Sequence, residues 1–213
     1  MRNIRMAKIG FITTGDLSKF FPSDQNPYFT HDDQLAADFL ERKGQQVLPV
    51  IWGCSPNEHD CDLYVLRSPW DYSDTSENRN RFLNWLREFC DAGNRVVNSV
   101  EWILWNIDKH YLKDLEAWGV PIVPTRIIKA TEALDLTEVY KEMGPFVLKP
   151  TISAGAKDTF LVTSQEELTA LELGDGQVSS PFHQVRKGRD YLVQPFISEI
   201  RDRGEWSCIF IGG

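Results

Sequence analysis

Short apolar runs alternate with helical patterns along the first hundred residues. Two segments, 30–44 and 78–90, carry apolar residues at helical spacing. Between and around them lie runs with the length and composition of buried strands. These runs are Lys8–Ile12, Val47–Trp52, Leu63–Leu66 and Arg95–Val97. Strands that alternate with helices predict a parallel sheet with helices on its faces, in an α/β domain.

The first predicted helix carries its own start and stop signals. Thr30 precedes Asp33 at capping-box spacing, and Gly44 stands where the helix would end. We expect the core-facing side of this helix to be formed by Leu35, Ala36, Phe39 and Leu40.

The pattern changes near residue 107, where we place a domain boundary. A single long helix is predicted over 101–118, and a second over 131–143. The proline-rich segment 120–124 can only be irregular or an edge strand. Further strands are predicted over 146–150, 159–162, 191–197 and 206–211, with a helix over 164–171 and a turn at 174–176. Short strands with inserted helices are typical of an α+β domain.

Charge and composition exclude several classes of function. Lys and Arg total 23 against 31 Asp and Glu, so the net charge is −8. An acidic chain without a basic run is a poor candidate for a nucleic-acid or acidic-membrane partner. The apolar stretch near the start is too short for a signal peptide or membrane span, and a cytoplasmic location is the default expectation.

The four cysteines, Cys54, Cys61, Cys90 and Cys208, form no C-x-x-C pair and no disulfide framework. Cys54, His59 and Cys61 lie close in sequence, but their spacing fits no zinc pattern. We expect ordinary thiols in a surface loop.

Two segments carry residues suited to phosphate chemistry. Lys149 ends an apolar strand, and a strand-borne lysine is rare unless it meets an anion. The loop behind it, with Ser153, Ala154 and Gly155, is small enough to bring backbone N–H groups close to phosphate oxygens. The alternative is a strand followed by a tight surface turn. Lys109 is a weaker candidate, because helix lysines are usually solvated.

A third segment is suited to a nucleoside. The backbone of the strand that contains Gln194 can present an N–H and a C=O to a purine edge, and its amide can contact the exocyclic amine. Glu199 and Glu205 can each accept hydrogen bonds from ribose hydroxyls. The alternative for both carboxylates is solvated surface charge.

The order of these features resembles the ATP-grasp superfamily, in its glutathione-synthetase-like branch. That resemblance covers nearly the whole chain. It implies a Rossmann-like pre-ATP-grasp domain at 1–107, the small lobe of an ATP-grasp domain at 108–190, and a hinge strand with the start of the large lobe at 191–213. It also implies a set of ATP contacts. Lys109 and Lys149 would contact phosphates, 151–156 would cover them, Gln194, Phe196 and Ile197 would hold adenine, and Glu205, with Glu199 as rival, would hold ribose.

A narrower resemblance rests on Arg67-Ser68-Pro69-Trp70-Asp71-Tyr72, together with Asn98, Trp105-Asn106 and 149–156. This set is similar to the subfamily of the cyclo-ligase that closes O-ureido-D-serine to D-cycloserine. Arg67 follows a strand, at the end where open α/β sheets bind ligands. Arg67 is suited to a carboxylate, Asp71 to an amine, and Trp70 or Tyr72 to the wall of a pocket for an amino-acid-like substrate. The alternative is a loop that packs domains together.

The superfamily also needs Mg²⁺, held by acidic residues late in the ATP domain. The sequence before Gly213 offers no such cluster, so we expect the metal ligands beyond residue 213 and assign no catalytic residue. The leading hypothesis is an ATP-dependent ligase that acts through a phosphorylated acyl or ureido group. The alternatives are a non-catalytic nucleotide-binding or interaction module and, last, a dinucleotide enzyme, because no G-x-G-x-x-G follows the first strand. A homodimer is left open.

Overall fold

The computed structural model describes residues 6–17, 27–153, 156–173, 181–186, 188–204, 206 and 208. The chain divides into two compact units, residues 1–107 and 108–213. Each unit contains its own four-stranded sheet. No helix among the described residues is long and apolar enough to cross a membrane.

The first unit is built on a parallel sheet. Its strands are β1 (Lys8–Thr13), β2 (Gln46–Ile51), β3 (Leu63–Ser68) and β4 (Val96–Val97), in the spatial order β2-β1-β3-β4. All three pairings are parallel, as the alternation of strands and helices predicts. Gly10 in β1 is required by close packing, because a Cβ there would lie 2.7 Å from the ring of Tyr64 and 2.8 Å from Val50.

The first unit also contains the helices α1 (His31–Arg42), α2 (Ser76–Asp91) and α3 (Val100–Asn106), and a 3₁₀ turn (Trp70–Ser73). One face of α2 buries Phe82, Trp85, Leu86 and Phe89 in a cluster with Ile12, Val50 and Tyr64 of the sheet. In this cluster the rings of Tyr64 and Phe89 lie 4.8 Å apart at 85°, edge to face, whereas those of Trp85 and Phe89 are tilted by 35° at 4.9 Å.

Helix α1 begins as predicted but buries a different face. The Thr30 hydroxyl accepts the Asp33 N–H at 3.1 Å and caps the helix. The predicted face is wrong in part, because Leu35 and Phe39 are 54% and 53% exposed. The helix instead turns Asp33 and Ala37 inward, and the polar partners of Asp33 described below explain this rotation.

The second unit is built on an antiparallel sheet. Its strands are β5 (Arg126–Ile128), β6 (Phe146–Pro150), β7 (Phe160–Val162) and β8 (Tyr191–Pro195), in the order β5-β8-β6-β7. One face is covered by α5 (Leu136–Met143), α6 (Gln165–Leu173) and α7 (Pro181–Arg186). The core on that face contains Ile128, Phe146, Leu148, Tyr191 and Val193 from the strands, with Leu136, Val139, Leu168, Leu171 and Phe182 from the helices.

The single helix predicted over 101–118 is wrong. It is two helices, α3 and α4 (Tyr111–Ala117), separated by a turn over 107–110. The Lys109 N–H bonds to the carbonyl of Thr151 at 2.8 Å, and the His110 N–H bonds to the Asp108 carboxylate at 3.1 Å. These two N–H groups are therefore not available for helical bonds.

Other predicted boundaries also move. The helix predicted from residue 131 begins at Leu136, because Asp135 caps it by accepting the Glu138 N–H at 3.0 Å. The short elements β5, α7 and α8 (Ser198–Arg203) are not predicted from the sequence. The turn predicted at 174–176 and, apart from Trp206 and Cys208, the strand predicted over 206–211 lie outside the described residues.

The different burial of Phe89 and Phe39 predicts losses of stability of different size when each is truncated. Phe89→Ala in α2 removes a fully buried ring and should lower the free energy of unfolding by about 3–5 kcal/mol. Phe39→Ala in α1 removes a half-exposed ring and should cost less than about 1 kcal/mol. Urea unfolding followed by circular dichroism measures both, and equal losses would contradict the observed face of α1.

Candidate functional site

Lys149 and Gln194 lie on the same face of the second sheet. Residues directly opposite each other in an antiparallel pair point to the same side. The pairs Val147–Gln194 and Lys149–Leu192 therefore share a face, and Ile127 joins them through its pairing with Leu192. Phe146, Leu148 and Val193 point to the other side, into the helix-covered core. We call the side that carries Ile127, Val147, Lys149, Leu192 and Gln194 the second face.

Lys109 is held against the end of β6 by its backbone and by its side chain. It lies in the turn between α3 and α4, not inside a helix as the resemblance implied. Its Nζ donates to the carbonyls of Thr151 and Ser153, at 3.3 and 3.4 Å, and lies 3.3 Å from Ser153 Oγ. The structure thus places Lys109 next to Ser153. Both residues were predicted to lie at the phosphates of ATP.

The charges of Lys109 and Lys149 oppose each other. Burial and, next, the positive charge of Lys149 lower the pKa of Lys109, while Asp108 acts in the opposite direction. The partners of the Lys109 ammonium are two carbonyls and a hydroxyl, which carry no net charge. An anion between the two lysines would relieve this repulsion.

The loop after β6 is only partly described. Thr151 is buried, and Ala154 and Gly155 lie outside the described residues. Beyond them, Ala156 and Asp158 have positive φ angles of 57° and 56°, which side-chain-bearing residues adopt at a cost of about 1–2 kcal/mol. An ion pair between Asp158 and Arg189 holds this bend in place.

The side chain of Gln194 is held by two consecutive hydrogen bonds. Its Nε2 donates to Thr125 Oγ1 at 2.8 Å, and that hydroxyl donates to the Val123 carbonyl at 2.8 Å. With the amide nitrogen engaged, its carbonyl oxygen is the group suited to an exocyclic amine.

Phe196 and Ile197, the two residues that follow β8, make different contacts. The Phe196 N–H bonds to the Pro145 carbonyl at 2.9 Å and is not open to a purine. The Phe196 ring lies 5.5 Å from the Arg201 guanidinium, and Ile197 caps α8. Glu199, in the first turn of α8, is exposed, while Glu205 lies outside the described residues.

In the first unit, Arg67 is paired with a buried carboxylate. Its Nε donates to Asp33 Oδ1 at 2.6 Å, and Ser68 Oγ donates to Asp33 Oδ2 at 2.5 Å. The Asp33 residue is 1% exposed, and the Arg67 guanidinium lies 5.8 Å from the ring of Phe11. Among the described residues, the terminal nitrogens of Arg67 have no hydrogen-bond partner, so they are suited to a carboxylate.

The three residues after Pro69 are built into the first unit. Asp71 Oδ1 accepts the Trp52 indole N–H at 2.6 Å. The Tyr72 ring packs 5.0 Å from Phe82, and burial raises the pKa of its hydroxyl. Trp70 is half-buried in the 3₁₀ turn. These contacts favour a packing role for Tyr72, whereas Asp71 Oδ2 has no hydrogen-bond partner within the described part of the chain.

Sequence reasoning missed Asp33 as a partner of Arg67, and it missed Lys129 and Asp190 as partners of His110. The available signal for Asp33 was its position one helical turn before Ala37, on the inward side of α1. The others join through contacts between distant segments, which leave no local pattern.

No group of three or more His, Cys, Asp or Glu side chains in the described part of the chain is arranged to hold a metal ion. The cysteines are free thiols, and burial raises the pKa of Cys54 to about 11. A thiolate at that position is therefore disfavoured near neutral pH.

The structure shows the class of protein to which this fold corresponds. It is similar to the crystal structure of D-cycloserine synthetase DcsG, with a TM-score of 0.68 and 21% identity, over 93% of this chain and 62% of that one. A RimK domain ATP-grasp protein from Sphaerobacter thermophilus DSM 20745 gives a TM-score of 0.60 and 19% identity, over 90% of this chain and 64% of that one. The chain has an ATP-grasp fold, which confirms the predicted fold class.

The sequence comparisons narrow the resemblance. Residues 9–98 match the family model for the N-terminal domain of D-cycloserine synthetase DcsG. The cycloserine biosynthesis protein DcsG of Streptomyces lavendulae is 28% identical over 160 residues, which are 71% of this chain and 49% of that protein. The chain thus spans about half the length of this curated relative. The predicted resemblance to ATP-grasp proteins and to the D-cycloserine-forming subfamily is confirmed.

The repulsion between Lys109 and Lys149 predicts that the pKa of Lys109 changes when the charge of Lys149 is removed. Lys149→Gln should raise the pKa of Lys109 towards the ordinary lysine value of about 10.4, and only part of the way because burial is the larger cause. Titration of ¹³C-methylated lysines by NMR, with Lys109→Arg to assign the signal, measures the change. Lys113→Gln is the control, and an unchanged pKa in Lys149→Gln would contradict the inferred repulsion.

Proposed function

We propose that the protein is an ATP-dependent ligase of the ATP-grasp type. It activates a carboxylate or ureido group of a small amino-acid-like substrate as a phosphorylated intermediate, which an amine or similar nucleophile then attacks. The observation that carries this proposal is the pair of opposed cations, Lys109 and Lys149, beside the second face of an ATP-grasp fold. The activity is proposed for the whole protein, because this chain spans only part of its relatives.

ATP is the anion that this arrangement suits. Its phosphates would lie between Lys109 and Lys149, next to Ser153, where they would replace neutral partners of the Lys109 ammonium. Its adenine would lie towards the other end of the second face, where Gln194 offers its amide oxygen to the exocyclic amine. Phe196 and Ile197 would supply apolar contacts, and Glu199 or Glu205 would bind ribose.

The proposed domains follow from this placement. Residues 1–107 are a Rossmann-like pre-ATP-grasp domain, and 108–190 are the small lobe of the ATP-grasp domain. Residues 191–213 are the hinge strand and the start of the large lobe. Mg²⁺ would neutralise phosphate charge during transfer, and no residue of this chain is assigned to it.

The substrate site is proposed at the carboxyl end of β3. There the terminal nitrogens of Arg67 are suited to a substrate carboxylate, and Asp71 is suited to an amine. Asp33 fixes the guanidinium from behind, so the arginine needs little reorganisation on binding. Trp70 would wall the pocket, and Tyr72 would support that wall from the core.

The lysines provide the first test of this proposal. Lys109→Met and Lys149→Met should each weaken ATP binding to this chain about 10- to 100-fold, because each removes a charged contact to phosphate. Calorimetry with Mg²⁺–ATP measures the affinity. Lys113→Met is the matched control. Lys113 pairs with Glu116 on α4, so this variant should bind ATP as tightly as the wild type does. Unchanged affinity in both lysine variants would sink the ATP site.

Arg67 provides a test of the substrate class. The full-length protein should release phosphate from ATP when it is offered the right amino-acid-like compound. Arg67→Ala should then raise the KM for that compound about 10- to 100-fold and leave the KM for ATP nearly unchanged, because Arg67 is proposed to contact the substrate carboxylate and not ATP.

Arg87, which is exposed on α2, supplies the control substitution Arg87→Ala. If the protein binds ATP but releases no phosphate with any amino-acid mixture, a non-catalytic nucleotide-binding module is favoured instead. An equal rise in both KM values would contradict the placement of the substrate at Arg67.

A further inference from the structure

A closed series of hydrogen bonds surrounds the turn that carries Lys109. The Thr151 carbonyl accepts both the Lys109 N–H, at 2.8 Å, and the Lys109 Nζ, at 3.3 Å. The Thr151 N–H in turn donates to the Asp190 carbonyl at 3.0 Å. These bonds join the turn over 107–110 to the end of β6 and to the residue before β8.

The carboxylate of Asp190 continues the series. It accepts the Ala130 N–H at 2.8 Å through Oδ1 and the Lys129 Nζ at 2.9 Å through Oδ2. The Lys129 and Ala130 bonds lower the pKa of Asp190 against the opposing effect of its burial, which is the largest single influence. Asp190 is therefore an ionised anchor for the segment after β5.

His110 closes the series. Its Nδ1 lies 2.6 Å from Asp108 Oδ1, and its Nε2 lies 2.9 Å from Lys129 Nζ. Asp108 and His110 flank Lys109 in the sequence, so the imidazole joins both neighbours of Lys109 to the Lys129–Asp190 pair.

We propose that His110 is a positioning residue for Lys109, and that it acts as a neutral imidazole with its proton on Nδ1. The Nδ1–H donates to the Asp108 carboxylate, and the Nε2 lone pair accepts a proton of the Lys129 ammonium. This proposal rests on the proposed contact between Lys109 and the phosphates of ATP.

The neighbours of the ring decide its tautomer. Asp108 can only accept, so Nδ1 must carry a proton. Lys129 is an ammonium that also donates to Asp190, so Nε2 must accept from it. A proton on Nε2 would lie against this ammonium at 2.9 Å, and the more distant Asp190 Oδ2, 3.5 Å from Nε2, would be its remaining partner.

The tautomer can be observed without any ligand. Long-range ¹H–¹⁵N NMR spectra at about pH 8 distinguish a protonated ring nitrogen from an unprotonated one. The His110 signals are assigned from their loss in His110→Gln. We expect the Nδ1–H form in the wild type, although a free imidazole side chain favours the Nε2–H form.

Variants of Lys129 make this test specific. Lys129→Met removes the donor to Nε2 and should leave the Nδ1–H form in place, because Asp108 still accepts that proton. The double variant Asp108→Ala/Lys129→Met removes both partners and should release the ring to the Nε2–H form, with Asp190 as its acceptor. Lys113→Met should leave the spectrum unchanged, since Lys113 pairs with Glu116. The proposal is overturned if the wild type shows the Nε2–H form, or if the double variant still shows the Nδ1–H form.

The positioning role is tested by ATP binding. His110→Ala should weaken the binding of Mg²⁺–ATP about 3- to 10-fold, as expected for the loss of supporting hydrogen bonds. His110→Asn places an N–H near the position of Nδ1 and should restore most of the affinity, which a general packing role would not predict.

The outcomes separate this proposal from the proposed function. If Lys109→Met weakens ATP binding and His110→Ala does not, the positioning role is wrong while the ATP site stands. If neither substitution affects ATP binding, the ATP site at Lys109 is wrong and the positioning role falls with it. A weakened His110→Ala that His110→Asn fails to restore also overturns the role assigned to Nδ1.

Discussion

The pairing of β6 with β8 is the constraint on which the candidate ATP site depends. A strand has two faces, and the apolar positions of β6 and β8 fill one of them with Phe146, Leu148 and Val193. The residues between them must point to the other side. Lys149 and Gln194 thus share a face because their strand neighbours Leu148 and Val193 point into the core. A slip of one residue in this register would bury Lys149 among the helices and expose the core, which makes the register strongly determined.

The environment of Lys109 follows from the same sheet. The end of β6 supplies the carbonyls of Thr151 and Ser153, and these hold the ammonium without neutralising it. Partial burial of the ammonium and the charge of Lys149 both disfavour the protonated form of Lys109, and Asp108 opposes them. A bound anion would stabilise the ammonium further. The functional interpretation therefore comes from the closeness of the two lysine charges.

The sequence predicts what local patterns encode. The strands of both sheets with four or more residues were predicted, as were the Thr30 cap and the position of Lys149 at the end of a strand. The break at 107–110 was not, because it depends on Thr151, which is 42 residues away from Lys109. The rotation of α1 was missed for the same reason. Its inward face is set by the bonds from Arg67 and Ser68 to Asp33, more than 30 residues earlier, and they outweigh the burial of Leu35 and Phe39.

The two cationic sites handle charge in opposite ways, and this difference bears on what each can bind. Arg67 has a buried counter-ion in Asp33, so its net local charge is small and its attraction for a ligand comes from the geometry of its remaining donors. That suits a single carboxylate. Lys109 and Lys149 lie close enough for their positive charges to repel each other, within a chain whose net charge is −8. Only a strongly charged anion gains enough from such a local field to overcome the repulsion of the rest of the surface, and a polyphosphate meets that requirement.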